Sequence, residues 1–589
     1  MNEAVKTIEE LMEEATAAIF ALFEAGRVAI CAFSAGKDSS CVALLALHAA
    51  KKAVAAGLNP ILIVSTSDTL IDNPEVTRLY SMEHRKMREY GMEHGFEVIT
   101  QVVTPNLAST WQVNVLQGRS LPSFPGEDAK CSEDMKVNPQ AVFRNQLLSS
   151  LEKETGVEAC TCVGTRFEES EKRAVNMKER GESATVPTRN KDGHLILSPI
   201  ANWTTDDVWE MIGYAASGLI DTYSTFDDTK RIYAAAENSS CAVIADAITS
   251  GRKRKAGCSS RTGCVICQMA EDKSLENMVL NDSRYHYAKG LVKLNKFIRN
   301  TRYDWSRRHW LGRVVKGGYL GLQPHTYHPK MLRSLARYMM QLDYDEQARA
   351  REASEVPMFQ LLTPEMLVAI DAHWSLYGNA RPFAIWADYR DIHENGVRYD
   401  IPDVEESKIV TKLPTMRFLY VGEDTDDFSG LRDAYIEALT NPEMKQIKDS
   451  DRMIWDVPTS DKFTVDPESA FMLMMFEMNS MVAKYNAPQV PGGVTMAYKW
   501  YASYGAIQIT SGKVHDETLR RTELKDRLGL TYDYDVRELL GRSVDFGSLP
   551  AEAMKEWAGA GSSSQGDMFL ENLYDEIAPR IDITESVSA

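Results

Sequence analysis

The stretch "FSAGKDSS", residues 33–40, places a glycine, a lysine, an aspartate and several hydroxyl residues side by side. Before it, "RVAICAF" is apolar and β-branched, which predicts a buried strand. After it, "SCVALLALHAAKKAVAAG" is apolar at helical spacing and ends at Gly57. The stretch is therefore predicted to be a strand-to-helix turn. Such a turn presents backbone N–H groups and the positive end of a helix dipole, which favours an anionic phosphate.

Cysteine spacing indicates a second kind of chemistry. Cys264 and Cys267 form a C-x₂-C pair, Cys258 lies six residues upstream, and Cys131 in "KCSEDMKVNP" is the natural fourth ligand. Four thiolates can hold one metal centre, and the spacing alone leaves zinc and an iron–sulfur cluster equally open, with cysteines that bind no metal as the third alternative. Four other cysteines, on the predicted strands or beside the turn, are predicted to be core residues: Cys31, Cys41, Cys160 and Cys162.

Composition limits the class of protein. The chain has 589 residues, 44% of them hydrophobic and 25% charged, which is typical of a soluble globular protein of two to four domains. It contains no run of about eighteen apolar residues, and its first residues predict an acidic amphipathic helix rather than a signal peptide. We expect a cytoplasmic protein with reduced cysteines and no membrane partner.

The net charge of the chain is −18, and the charged residues are unevenly distributed along it. Residues 251–316 carry sixteen Lys or Arg against five Asp or Glu, whereas residues 401–589 carry nineteen against thirty-three. The basic segment also contains Tyr285, Tyr287, Phe297, Tyr303, Trp305 and Trp310. Basic side chains can follow a phosphate backbone, and either tryptophan could stack on an unpaired base. The segment is thus a candidate nucleic-acid track, with a solvated basic face as the alternative.

Strand-like and helical segments alternate through the first half of the chain. "RVAICAFS", "PILIVSTSD", "FEVITQVVT" and "VEACTCVG" are the predicted strands. This order predicts an α/β fold with a doubly wound parallel sheet and a ligand at the carboxyl ends of the strands. We expect this fold to form a nucleotide-binding domain (1–240). It is followed by a cysteine-cluster and basic segment (241–330), a helical region (331–400) and an acidic C-terminal region (401–589). The Met-rich residues 471–481 are expected to be core.

The turn "SAGKDS" resembles the PP-loop, the S-G-G-K-D-S signature of ATP pyrophosphatases, which cut ATP between its α- and β-phosphates. The resemblance implies the adenine nucleotide alpha hydrolase-like fold and an ATP site with Mg²⁺. It also implies that the turn residues line the phosphates, with Lys37 offsetting charge on the leaving group. These residues are Ser34, Gly36, Lys37, Asp38 and Ser39. Ala35 replaces the commoner glycine and is expected to be accepted at a negative φ.

Two further segments resemble PP-loop relatives. "DTLIDNPEV" is similar to the D-T-x-x-E-N-P segment of sulfate-assimilation reductases, which implies that Asp68 and Thr69 contact the nucleotide. "VGTRFEESEKR" follows a later strand and offers Arg166 and Arg173 to phosphates. The predicted catalytic residues are Lys37, Asp38 and Arg166, and Arg173 is a predicted nucleotide-binding residue.

The cysteine segment carries a narrower resemblance. "C-x₅-C-V-I-C" followed by "EDKSLENM" resembles the "G-C-W-x-C … K-D-x-S-M" hallmark of DNA phosphorothioation proteins of the DndC and SspD type, and "CSEDMKVNP" resembles their "C-T-D-x-L-K-x-x-P". The likeness runs from about Arg27 to Gly378. It implies that the four spaced cysteines hold a [4Fe–4S] cluster beside the ATP site. It also implies as partners DNA, a cysteine desulfurase or other persulfide donor, and other proteins of a DNA sulfur-modification complex.

The sequence therefore leads to one main hypothesis, activation of a DNA phosphate by ATP for sulfur incorporation. Thiolation of tRNA is the first alternative, because it uses the same activation chemistry. Reduction of adenylyl sulfate is the second, although that reaction predicts a redox-active cysteine near the C-terminus and no cysteine follows Cys267. A nucleotide-bound regulatory subunit without turnover is the third.

Overall fold

The computed structural model describes most of the chain, in two compact units. The described residues are 6–119, 121, 130–154, 156–236, 263–266, 273–408, 414–422, 444–446, 453–455, 459–485 and 493–557. The first unit comprises Met1–Pro105 and Ser132–Val292, and the second comprises Asn106–Cys131 and Lys293–Ala589. The four-part division expected from the sequence stays a prediction.

The first unit is built on a six-stranded sheet with the order β3-β2-β1-β4-β6-β5. All neighbouring pairs are parallel except β5 with β6. The strands are β1 (Val28–Ala32), β2 (Leu62–Ser67), β3 (Val98–Val103), β4 (Ala159–Cys162), β5 (Thr188–Arg189) and β6 (Leu195–Leu197). The predicted α/β class and parallel sheet are confirmed.

The apolar runs explain why β1 and β2 are central. Every residue of β1 from Val28 to Cys31 is buried, as are the first five residues of β2, as expected for parallel strands covered on both faces. The strand order reverses between β1 and β4, so the fold creates a crevice at their carboxyl ends.

Helices connect the strands of the first unit. They are Ile8–Glu24, Lys37–Ala55, Pro74–Glu93, Asn138–Glu154, Glu171–Glu179, Thr205–Ala216, Asp227–Ala236 and Ser274–Asn281, with a π-helical turn at Glu133–Val137 and 3₁₀ turns at Phe167–Glu169 and Ser283–Ala288. Helices Lys130–Ser132 and Lys289–Asn300 each contain a boundary between the two units. Within the described ranges, no helix has both the length and the apolar character needed to cross a membrane.

The second unit combines an antiparallel sheet with helices. Its three-stranded sheet has the order β7 (Arg308–Lys316), β8 (Tyr319–Tyr327), β9 (Arg417–Tyr420). Two short pairs join β10 (Met444–Gln446) to β11 (Met453–Trp455) and β12 (Thr464–Val465) to β13 (Ile507–Gln508). The helices are Trp111–Leu116, Pro329–Ala353, Pro364–Tyr377, Ala384–His393, Pro467–Phe476, Met478–Tyr485, Met496–Ser503, Gly512–Arg527, Val536–Gly541 and Ala551–Glu556, with 3₁₀ turns at Leu107–Ser109, Trp305–Arg307 and Phe546–Ser548.

Packing in the second unit corrects two expectations. Trp305 and Trp310 are 6% and 0% exposed and belong to one apolar cluster, and the Trp310 indole donates a hydrogen bond to the Trp305 carbonyl. Both rings pack inside this cluster and line neither of the two cavities described below, so neither is available to stack on a base. The Met-rich segment is only partly core: Leu473 is buried, whereas Phe471 and Phe476 are 58% and 67% exposed.

Candidate active site

A cleft of about 490 Å³ lies at the carboxyl ends of β1, β2 and β4. It is bordered by the turn after β1, by the end of β2 and by Gly164 after β4. This is the reversal point of the strand order, where ligands bind in open α/β sheets. The cleft is thus positioned by the sheet topology that the alternating segments predict.

The turn that follows β1 is held by its own hydroxyl groups. The Ser34 amide donates to Ser39 Oγ at 3.1 Å, and Ser39 Oγ donates to the Gly36 carbonyl at 3.0 Å. Gly36 is the N-cap of helix Lys37–Ala55 and has no side chain with which to cap it. The Lys37 amide donates to the Tyr233 hydroxyl at 3.3 Å, and among the described residues no carboxylate caps this helix start at the cleft, which suits an external anion.

Ala35 adopts a backbone conformation that the sequence analysis did not expect. Its φ is 55°, in the left-handed region, rather than negative. An L-residue with a Cβ is strained there by about 1–2 kcal/mol, whereas glycine is not. The commoner glycine of the PP-loop motif thus has a conformational reason, and this chain tolerates the strain of an alanine.

Gly164 allows β4 to approach the turn closely. A Cβ built on Gly164 would lie 3.1 Å from the Asp38 carbonyl carbon and 3.1 Å from the Ser39 nitrogen. Because both contacts are with backbone, a side chain at this position would displace the start of helix Lys37–Ala55. Within "CVGTRF", only glycine keeps the two edges of the cleft together.

Two cations hold the Asp38 carboxylate. Lys37 Nζ lies 2.8 Å from Oδ2, and Arg166 Nε lies 2.6 Å from Oδ1. Arg166 is 1% exposed, and it also donates to the Trp203 carbonyl at 3.2 Å and to Thr205 Oγ1 at 3.3 Å. Lys37 borders the cleft, whereas Arg166 lies behind Asp38 and is not among the residues that line the cleft. The structure thus brings the three predicted catalytic residues together, with Arg166 orienting Asp38.

Asp68 and Thr69 lie at the end of β2 but do not line the cleft. The Asp68 carboxylate accepts hydrogen bonds from the Tyr80 hydroxyl and the Leu70 amide, both at 2.8 Å. Tyr80 does line the cleft, and burial together with the charge of Asp68 raises the pKa of its phenol. In this arrangement Asp68 positions Tyr80, which the sequence analysis did not single out.

Arg173 lines the cleft beside Glu169, with which it forms an ion pair. Ser170 caps helix Glu171–Glu179 by accepting a hydrogen bond from the Arg173 amide. The "EESEKR" segment therefore brings one basic group to the cleft wall.

Three cleft residues on one helical face were missed. Lys136, Gln140 and Arg144 recur every four residues and all line the cleft. Gln140 is anchored to both Ser65 and Ser67 of β2. Arg144 Nε is buried without a hydrogen-bond partner among the described residues, and burial lowers the pKa of this guanidinium. The i, i+4, i+8 spacing of basic and amide residues after Cys131 is the signal that could have found them.

The cysteines fall into two environments. Cys31, Cys41, Cys160 and Cys162 are at most 1% exposed, and burial raises the pKa of each thiol, that of Cys31 to about 12. Their prediction as core is confirmed. Cys131 and Cys264 are partly exposed, while Cys258 and Cys267 lie outside the described residues. Within the described ranges, no three His, Cys, Asp or Glu side chains come together as a metal site.

Cys264 is attached to the margin of the cleft. It forms an antiparallel bridge with Asp72, its Sγ lies 3.7 Å from Asp72 Oδ1, and the Val265 amide donates to the Ile71 carbonyl at 2.8 Å. Asp72 itself lines the cleft. The cysteine segment and the "DTLIDNP" segment are thus neighbours in the first unit.

Comparison with known families agrees with this geometry. Residues 28–223 match the model of the phosphoadenosine phosphosulfate (PAPS) reductase domain. This segment is a PAPS reductase-like domain of the PP-loop superfamily. The match covers the whole six-stranded sheet and nearly all of the cleft, so the cleft belongs to a nucleotide-utilising domain, and an enzyme acting on nucleotides is its expected class. A search of curated proteins found no significant match to the chain.

Proposed function

We propose that the PAPS reductase-like domain is an ATP pyrophosphatase that activates a DNA backbone phosphate for replacement of an oxygen by sulfur. The observation that carries the proposal is the attachment of Cys264 to Asp72, a residue of the cleft wall. It supports a shared site for nucleotide activation and sulfur chemistry. The motif resemblances of the turn and of the cysteine segment support the same conclusion.

In the proposed reaction, an oxygen of the DNA phosphate attacks the α-phosphorus of ATP, and the bond to the pyrophosphate oxygen breaks. The helix N-terminus at Gly36 and the Lys37 ammonium offset charge on the departing pyrophosphate. The terminal sulfur of a protein persulfide then displaces AMP from the activated phosphorus, and a second thiol cleaves the remaining S–S bond to the donor.

The cleft has a group that can bind the phosphates of ATP and other groups that can bind Mg²⁺. The buried Nε of Arg144 suits a phosphate oxygen. Asp38, Asp72 and Glu169 supply carboxylates at the cleft wall, and Mg²⁺ in nucleotide sites is held by one or two carboxylates together with phosphate oxygens. When bound, Mg²⁺ would neutralise charge on the phosphates that these residues orient.

Thiol chemistry supports a cluster held by Cys131, Cys258, Cys264 and Cys267. Of the described cysteines, Cys131 and Cys264 are the partly exposed ones, whereas the four buried thiols have raised pKa values that disfavour the thiolate ligand. A bound [4Fe–4S] cluster would supply an iron that can bind sulfur or carry electrons, and zinc is the alternative metal.

A row of lysines supports the nucleic-acid substrate. Helix Lys289–Asn300 buries Leu291, Leu294 and Phe297 and exposes Lys289, Lys293 and Lys296 on the opposite face. Their spacing aligns three positive charges along the helix, as a phosphate backbone requires. With Trp305 and Trp310 buried, the proposed contact is with phosphates rather than with stacked bases.

The activation step is tested by measuring pyrophosphate and AMP released from ATP by Lys37→Ala. Removing one charge-stabilising group is expected to lower the rate about 10²–10³-fold. Lys52→Ala is the matched control, because Lys52 lies in the last turn of the same helix, about 22 Å away, and pairs with Glu13 at the surface. Release of ADP and orthophosphate, or no turnover in the parent protein, would contradict the proposal, and the latter would favour the regulatory subunit.

The metal is tested by anaerobic purification and analysis of iron, sulfide and zinc. A [4Fe–4S] cluster predicts a brown protein whose visible absorbance is lost in Cys264→Ser and retained in Cys160→Ser, a buried thiol on β4. Stoichiometric zinc without iron would overturn the assignment of the cluster.

The substrate is tested with nucleic acid hydrolysed from cells with and without the gene. Phosphorothioate dinucleotides support the proposal, whereas thiolated nucleosides favour tRNA thiolation. The family match keeps reduction of PAPS as a second candidate, and release of sulfite from PAPS by the purified protein would favour it.

The row of lysines is tested by replacing Lys289, Lys293 and Lys296 by Gln. This change should reduce the slope of log affinity for DNA against log salt by roughly 0.7–0.9 per lost contact.

A further inference from the structure

The second unit contains a separate cavity of about 470 Å³, formed by residues outside the PAPS reductase-like sheet. One face of helix Gly512–Arg527 forms a wall through Val514, Thr518 and Lys525. His373 and Tyr377 of helix Pro364–Tyr377 form another part. The volume is in the range of pockets that hold small molecules. No step of the proposed sulfur transfer uses these residues.

The charged residues around this cavity are mostly positive. Of the described residues, Arg119, Lys462, Arg521 and Lys525 line it, together with one acidic residue, Asp461. This excess stands out because residues 401–589 are acidic as a whole. The positive potential reaches the interior, since the charge of Arg119 contributes, after burial, to lowering the pKa of His515 to about 4. Guanidinium and ammonium groups at the wall of a cavity favour a phosphate or carboxylate.

The remaining wall is apolar and aromatic. Leu320, Leu376 and Leu524 supply aliphatic surface. The centroid of the His373 ring lies 4.5 Å from that of Phe463 and 5.9 Å from that of Tyr377, with an interplanar angle of 29° to the tyrosine. Burial lowers the pKa of His373 to about 4, so this ring is neutral at pH 7. A neutral ring cluster suits an uncharged, planar part of a ligand rather than a second anionic group.

We propose that this cavity binds a small organic phosphate of the mononucleotide class, with its phosphate among Arg119, Arg521 and Lys525 and its ring against His373 and Phe463. The combination of a one-sided positive charge with a neutral aromatic wall excludes a purely apolar ligand and a bare inorganic anion as the preferred occupant. The phosphate can come from a free nucleotide or from the phosphorylated end of a nucleic-acid strand.

The test measures binding of 5′-AMP, inorganic phosphate and adenosine to the full-length protein by titration calorimetry. Arg521→Glu places a negative charge at the cavity wall and is expected to weaken AMP binding by about tenfold or more. Thr518→Trp fills the cavity and should abolish the same binding. Arg527→Glu is the matched control, because Arg527 is an exposed arginine of the same helix that does not line the cavity. The series is repeated in Lys37→Ala, so that binding in the first unit is recognised separately.

AMP binding that is weakened by Arg521→Glu but not by Arg527→Glu, in both backgrounds, supports the proposal. Inorganic phosphate binding as tightly as AMP, or equal AMP affinity in the two glutamate variants, overturns it. Arg521 lies at the surface, so its replacement tests the site even if the larger tryptophan disturbs folding. If a 5′-phosphorylated oligonucleotide competes with AMP, the ligand is the end of a nucleic-acid strand. If it does not compete, the ligand is a free nucleotide. Because ATP cleavage is assayed separately, failure here leaves the proposed pyrophosphatase activity standing.

Discussion

Asp38 in the cleft wall and Asp371 in the core of the second unit are carboxylates held by different kinds of partner. Both oxygens of Asp38 face cations, Lys37 and Arg166. Asp371 is 1% exposed, and the hydrogen bonds that it accepts come from neutral groups, the Ile385 amide at 3.2 Å and the Tyr501 hydroxyl at 2.9 Å. Burial raises the pKa of Asp371 to about 7.

This difference distinguishes the candidate active site from the packed core of the second unit. In the cleft, a network of opposite charges orients side chains beside the position proposed for the phosphates. In the second unit, the buried carboxyl has no ion-pair partner within hydrogen-bond distance among the described residues, so protonation near neutral pH reduces the cost of its burial. We therefore expect the stability and activity of the cleft to depend on its ion-pair partners and on the position of its backbone. The stability of the second unit is expected to depend on pH.

The largest effect is expected from Arg166→Met. Removing one partner of a buried pair leaves Asp38 without its second cation and should destabilise the first unit by about 3–5 kcal/mol. Denaturant unfolding of the full chain measures the loss. Arg85→Met is the control, because Arg85 forms an exposed pair with Glu89 on a helix of the same unit, and its loss should cost less than about 1 kcal/mol. Equal losses in the two variants would remove the distinction between the cleft network and a surface ion pair.

Gly164→Ala tests how closely β4 must approach the turn. The added Cβ would lie 3.1 Å from backbone atoms of Asp38 and Ser39, so the start of the helix must shift. A displacement of this kind is expected to lower the rate of the proposed pyrophosphate release about 100-fold. Gly213→Ala is the control, since a Cβ there meets no atom within 4 Å. An unchanged rate in Gly164→Ala would show that the turn adapts freely.

Asp371→Asn tests the neutral state of the core carboxyl. The folded pKa of about 7 lies above the unfolded value of 3.8, so the contribution of Asp371 to stability is complete below about pH 4 and is lost as the pH rises through 7. The stability of the parent relative to Asp371→Asn should therefore fall by up to roughly 1.4 kcal/mol per pH unit in that interval. Thermal unfolding from pH 4 to 8 measures it, with the exposed Asp403→Asn as control. A pH-independent difference would contradict the buried neutral carboxyl.

Ala35→Gly is expected to have the smallest effect and the opposite sign. Relief of the left-handed conformation at φ 55° should stabilise the first unit by up to about 1 kcal/mol, after the entropic cost of a glycine. Ala50→Gly, in the interior of helix Lys37–Ala55, should instead destabilise by about 1 kcal/mol. Both are measured by thermal unfolding, and a loss of stability in Ala35→Gly would show that the Ala35 methyl group stabilises the turn by packing.

Local patterns determined much of the first unit. Apolar β-branched runs and helical periodicity predicted β1 to β4 and the parallel sheet, because those signals depend on neighbours in sequence. The short motif "SAGKDS" located the turn, since glycine and small hydroxyl residues reflect the backbone that a phosphate site requires. Four buried cysteines were also identified correctly, because they lie on or beside these predicted elements.

Tertiary structure decided which distant residues meet. The pairing of Asp38 with Arg166, the cleft positions of Lys136 and Arg144, and the bridge from Asp72 to Cys264 join segments far apart in sequence. Burial of the aromatic residues in a basic segment depends likewise on which surfaces pack together. Periodicity and composition show whether a segment is apolar, basic or helical. Which other segment packs against it is decided only when the chain folds, and this packing determines the exposure and charge state of its side chains.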